Sequence, residues 1–243
     1  MELQILMSKT RTNDQAVKSK TTAQCNNIYI LDKSHFKGEA FQAFLSSGYK
    51  KYIKRKMNQT LNFNKEKLTH PPLNLHFLGD RVLRQQTKRV SKIDNKIRDL
   101  VKQMLQTMYS ENGIGLAAPQ IGIHKKILVL DCQPDNSATP PMVLINPEIT
   151  RFGKDFCVAE EGCLSIPKVF LEVIRPRTIE VTYKNESGKK NKLKASGLLS
   201  RVIQHEMDHL NGVLFVDRVK NNLALTEQLK KKGFSLEAVQ PVK

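Results

Sequence analysis

Apolar positions fall into regular patterns from about residue 91 onward. Across residues 91–110, Ile97, Leu100, Val101, Met104, Leu105 and Met108 recur every three to four positions, the one-face period of an amphipathic helix. Ser91 or Asp94 offers a cap at its start, and Asn112-Gly113 a stop. Such a stripe predicts packing on a sheet. The short apolar runs 127–130 and 142–145, separated by a Pro/Asp/Asn/Ser loop, read as buried strands of a long hairpin, the second ended by Pro147. Strand signals return at 169–174 and at 178–183, where Ile179, Val181 and Tyr183 alternate, and a turn at Asn185-Glu186-Ser187-Gly188 leads to a partner strand near 190–194. Short strands joined this way imply antiparallel pairing.

A last strong helix is predicted from the N-cap Ser196 to about Asn211, with Gly212 after it. Leu198, Val202 and His205 share one of its faces, which predicts a surface that is both core and pocket wall. The Lys-rich amphipathic segment 222–232 reads as a solvated surface helix in a short basic tail.

Residues 1–69 behave differently. They are polar and basic, and their only sustained apolar period is Phe41, Phe44, Leu45, Tyr49, Tyr52 and Ile53, a candidate basic amphipathic helix. Three readings are open: a disordered extension, an organelle-targeting peptide, or sequence upstream of the true start, with Met57 as candidate initiator. Targeting peptides are Arg-rich and acid-poor. This segment is Lys-rich and contains Asp32 and Glu39, which favours a disordered or wrongly included extension. His70-Pro71-Pro72 marks the expected boundary, leaving 70–243 as the ordered domain.

Composition narrows the classes. At 243 residues the chain is long enough for a sizeable core, and no apolar run approaches the twenty residues of a membrane span. The net charge of +17 suggests a polyanionic partner such as the ribosome, with Lys and Arg at 13 against 5 acids in residues 1–70 and 27 against 18 thereafter. No base-reading motif accompanies that charge, and a solvated basic surface explains it more simply. Cys25, Cys132, Cys157 and Cys163 show no paired spacing, as expected in a reducing compartment.

Chemistry concentrates in Gln204-His205-Glu206-Met207-Asp208-His209. Histidines four apart on a helix share a face and can ligate one divalent ion, while the intervening Glu206 can act as general base. The pattern alone also fits two exposed, charge-paired histidines. Two other stretches carry unusual residues. Residues 113–120, Gly-Ile-Gly-Leu-Ala-Ala-Pro-Gln, permit close approach of another chain and end in Gln120, an amide that needs partners if buried. Residues 160–167, Glu-Glu-Gly-Cys-Leu-Ser-Ile-Pro, place Cys163 in a small polar turn, where an inert buried thiol is the default reading.

Together, GIGLAAPQ, EGCLS and HEMDH in this order resemble the three signature motifs of the peptide deformylases, over roughly residues 73–219, and the stretch around EGCLSIP looks like the bacterial and plastid type I enzymes. The resemblance implies an α+β fold, with antiparallel β-sheets packed around a central metal-binding helix carrying HEMDH and an N-terminal amphipathic helix. It implies Cys163, His205 and His209 as ligands of one ion per chain, Fe²⁺ first, with Zn²⁺, Ni²⁺ or Co²⁺ as alternatives. The implied reaction is hydrolysis of the formyl group from N-formylmethionyl nascent peptides. Glu206 would move the proton, and Gln120 with the Leu164 backbone N–H would hold the oxyanion. Gly115 would meet the peptide backbone, Leu198 and Val202 would line the methionine pocket, and Glu161 would pair with Arg175 to orient the Cys163 loop. Phe170 departs from the polar residue common at the rim. The implied location is the bacterial cytoplasm, or the plastid stroma if residues 1–69 are a transit peptide, with ribosome contact through the basic surface and no membrane or specific nucleic-acid sequence as partner.

A metalloprotease sharing the two-histidine motif would draw a third His or Glu ligand from further along the chain, yet no histidine follows His209, and only carboxylates such as Glu227 or Glu237 remain, in a Lys-rich tail.

Overall fold

A computed structural model describes residues 63–242. The candidate helix at 41–53, Met57 and nearly all of the expected extension lie outside the described residues. Residues 63–69, which composition alone assigns to the extension, pack on the domain. Phe63 stacks on Tyr109 with ring centroids 6.0 Å apart, and the Lys65 ammonium meets Asp131 at 2.7 Å and the carbonyls of Asn136 and Thr139 at 2.8 and 2.6 Å.

The architecture is α+β with antiparallel sheets. Helix α1 (Asn95–Ser110) starts where the Asp94 carboxylate accepts the Ile97 N–H at 3.1 Å, a cap worth about 1 kcal/mol. Five strands follow one another in a sheet of order β1-β2-β3-β6-β7, comprising β1 (Gly115–Ala117), β2 (Ile127–Leu130), β3 (Met142–Phe152), β6 (Thr178–Lys184) and β7 (Lys190–Ser196). Among the described residues, strands β4 (Phe156–Cys163) and β5 (Ile166–Pro176) pair only with each other, as a ribbon. Helix α2 (Gly197–Leu210) carries HEMDH, and α3 (Asn222–Lys231) follows.

The four apolar residues of β2 are buried because the sheet is covered on both faces. Ile127 and Val129 join Val101, Met104, Leu105 and Met108 of α1, whereas Leu128 and Leu130 join a second core with α2 and the ribbon. Helix α2 therefore runs between sheet and ribbon, with buried residues around most of its circumference. Gly212 follows it at φ +73°, where a Cβ would lie 2.5 Å from the Arg84 carbonyl oxygen.

Two local expectations differ. Strand β3 does not stop at Pro147; its pairing with β6 shifts register between Ile145 and Glu148 and then runs on to Phe152. Pro147 falls inside that bulge, where its missing N–H breaks no ladder bond. Helix α3 is not merely solvated, because Leu225 and Leu229 are buried in the main core.

Candidate active site

Three side chains from two elements converge. Cys163 ends β4, and His205 and His209 occupy successive turns of α2; one donor atom from each lies within 4.8 Å of the others. Cys163 Sγ is 3.2 Å from His209 Nε2, close to the ~3.6 Å between sulfur and nitrogen ligands of a tetrahedral metal ion. All three residues are buried.

The electrostatics of this cluster suit a cation. Burial, followed by the charge of Glu206, pushes the Cys163 thiol far above its ordinary range. Burial and then the neighbouring His205 hold His209 well below the usual histidine range, so its ring is neutral. Burial and then the Glu161 charge push the Glu206 carboxyl well above its usual range. His205 Nε2 and both Glu206 oxygens are buried without a protein hydrogen-bond partner. A divalent ion would stabilise the thiolate and the carboxylate at once and would take the free His205 nitrogen. The donor set therefore fits a metal.

Around the ligands lies a layer of buried charge. Glu161 Oε2 accepts from His205 Nδ1 at 2.8 Å, which fixes that ring's tautomer with Nε2 free. Arg175 grips Glu161 with Nε at 2.5 Å and with a second nitrogen at 2.8 Å, and reaches Asp208 at 2.7 Å. Arg201 adds a bond to Glu161 at 2.8 Å, and bonds to the carbonyls of Val173 and Cys157 at 2.9 and 2.6 Å. Arg218 closes the network on Asp208 at 2.6 and 2.5 Å. Burial opposes ionisation of Glu161, but the Arg175 charge and hydrogen bonds, helped by His205, hold it well below the carboxylate range.

Sequence reasoning named Glu161 and Arg175 but not Arg201, Asp208 or Arg218. A signal for Arg201 existed, since it lies four residues before His205 and hence on the same helix face.

Gln120 is fully buried in the short helical turn Ala118–Ile121. Its Oε1 accepts the Ala117 N–H at 2.8 Å, and its Nε2 is 3.2 Å from Ser165 Oγ and 3.6 Å from Cys163 Sγ. Gly115 backs onto Glu206: a Cβ there would lie 2.3 Å from Glu206 Oε1 and 3.0 Å from Val202. Leu164 and Cys163 line an open groove of about 620 Å³, together with Leu73, Leu75, Phe77 and Phe170. Leu198 borders a separate small cavity with Ala159, Pro176 and Arg201.

A buried thiol, two imidazoles, an unpartnered carboxylate and an amide donor, with Cys163 facing the groove, would suit metal-assisted hydrolysis of an amide. Comparisons with known proteins agree. The family model for polypeptide deformylase matches residues 72–224. A peptide deformylase from Synechocystis sp. is 61% identical over 186 residues, covering 76% of this chain and all of that protein. One from Microchaete diplosiphon is 59% identical over the same share of each. Among solved structures, a peptide deformylase from Synechococcus elongatus in complex with actinonin aligns with a TM-score of 0.74 at 59% identity, over 76% of this chain and 100% of that one. The Thermotoga maritima peptide deformylase aligns with a TM-score of 0.59 at 42% identity, over 62% of this chain and 99% of that one. Since the family model spans well over half of the sequence and these relatives are matched along their whole length, the chain belongs to the peptide deformylase family, hydrolases that remove the N-formyl group from nascent peptides.

Proposed function

We propose that the deformylation chemistry of this chain is carried by Cys163, His205 and His209 as ligands, Glu206 as base and Gln120 with Leu164 as oxyanion donors. The observation that carries this reading is the convergence of the three buried ligand atoms within 4.8 Å, with both Glu206 oxygens buried and without a protein partner beside them. A divalent ion held there supplies a Lewis acid and a water of lowered pKa.

The protein's own groups do the rest. Glu206 takes the proton of the attacking water at its carboxylate and returns it to the departing amine nitrogen. Gln120 Nε2 and the Leu164 backbone N–H donate to the formyl oxygen as it gains charge. Strand β1 is the edge of its sheet, so an extended peptide can add along it, and Gly115 leaves room for both that backbone and Glu206. Val202, packed against Gly115 beside Glu206, is the apolar wall the methionine side chain meets.

One thiolate and two imidazoles suit Zn²⁺ by softness, and the family likeness puts Fe²⁺ first. The excess of Lys and Arg fits docking on the ribosome, where formylated chains emerge, in the bacterial cytoplasm or the plastid stroma. Among the described residues no helix is long and apolar enough to cross a membrane.

The test is formate release from formyl-Met-Ala-Ser by protein prepared anaerobically with Fe²⁺, with metal content measured on the same sample. Release proportional to bound iron supports the reading. Stoichiometric metal without formate, under Fe²⁺, Ni²⁺ and Zn²⁺ alike, overturns it.

A further inference from the structure

A buried serine sits between the cysteine and the amide. Ser165 is fully buried, two residues after Cys163, and its Oγ is 3.2 Å from Gln120 Nε2. The other end of that amide is already committed, because Oε1 accepts the Ala117 N–H at 2.8 Å. Gln120 therefore cannot flip without placing an NH₂ against a backbone N–H. Its nitrogen carries two protons in a fixed plane. If one goes to Ser165 Oγ, the other is directed past Cys163 Sγ, which at 3.6 Å holds it only weakly.

The backbone reinforces the same pairing. The His76 N–H donates to the Gln120 carbonyl at 2.8 Å and the Leu78 N–H to the Ser165 carbonyl at 2.9 Å. One extended segment, residues 76–78, thus holds two residues 45 positions apart in sequence in fixed register. The serine hydroxyl thus accepts from an amide whose other end is already held.

We propose that Ser165 is a positioning residue, whose hydroxyl fixes the Gln120 amide and thereby aims the second amide proton at the formyl oxygen. This rests on the reading of Gln120 as an oxyanion donor. Ser165 touches no reacting atom; it acts through the amide.

The test is a double-mutant cycle on formyl-Met-Ala-Ser with Ser165→Ala, Gln120→Ala and the pair. Ser165→Ala should lower kcat about tenfold with KM within about twofold, and Gln120→Ala should lower kcat by about 10²–10³. The double variant should be no slower than Gln120→Ala alone, because the serine has nothing left to aim. Losses that multiply, or undiminished kcat in Ser165→Ala, overturn the proposal. Full turnover in Gln120→Ala would instead remove the oxyanion reading beneath it.

One further readout separates positioning from packing. Ser165→Thr and Ser165→Val add equal bulk and differ in the hydroxyl alone, so Thr should turn over faster than Val; equal rates overturn the proposal.

Discussion

Nδ1 of His205 lies 2.8 Å from Oε2 of Glu161, and both residues are buried. The ring N–H is thereby committed to the carboxylate and the opposite nitrogen keeps its lone pair for a cation. Two arginines, Arg175 and Arg201, hold that carboxylate in turn. Replacing Glu161 with Gln should weaken metal affinity by about 10–100-fold. Competition with a chelator measures it, and wild-type affinity would show that the carboxylate has no part in holding the ligand.

Glu206→Gln keeps the size of the side chain and removes its basicity. Metal content should be retained while kcat falls by about 10²–10⁴. Near-normal turnover in a metal-replete sample would exclude Glu206 as the proton carrier.

Gly115→Ala tests the close approach of β1 to the base. The new methyl would sit 2.3 Å from Glu206 Oε1, so the carboxylate, Val202 or the strand must move. A loss of about 1–3 kcal/mol in stability should accompany loss of turnover, as for other overpacked sites. Unchanged melting temperature and rate would mean that the strand yields freely.

Acid should act on the metal-free protein through Glu161. Burial opposes its ionisation, yet Arg175 and His205 hold its folded pKa well below the ordinary 4.5. A carboxyl depressed by folding contributes stability above its unfolded pKa, and that contribution is lost as pH falls through the folded value. Urea melts of wild type and Glu161→Gln should therefore converge as the pH drops below about 4.5 and stay apart above it. A constant gap across that range would contradict the depressed pKa.

Much of the framework could be read from side-chain periods. The α1 stripe and the buried runs of β2 and early β3 were legible because one or both faces meet a core. Strand β4 was not, since Glu160, Glu161 and Gly162 read as a polar turn. Glu161 is tolerated there because Arg175 and Arg201, distant in sequence, meet it inside the fold. Extension of β3 past Pro147 was hidden for a similar reason: Asn146, at φ 51°, bonds both backbone groups of Val90 through its side chain and makes room for a bulge. In the site itself, the spacing of HEMDH pointed to His205 and His209 as a pair, whereas Cys163 joined them only through family resemblance. Arg218, Asp208 and Ser165 are known only from three-dimensional proximity, because they act on groups far away along the chain.

The separateness of the β4–β5 ribbon would give a metal ion a second task. A two-stranded ribbon is marginal by itself, and this one carries Cys163 at the end of a strand that, among the described residues, pairs with no strand of the larger sheet. An ion shared between Cys163 and His205 would tie ribbon to helix across some forty residues, as a removable crosslink. By the loop-entropy relation for disulfides, such a tie is worth up to about 4 kcal/mol. Stripping the ion should therefore speed hydrogen exchange in residues 156–176 far more than in β2 and β3. An ion held there would then also brace the groove wall that Cys163 and Leu164 line.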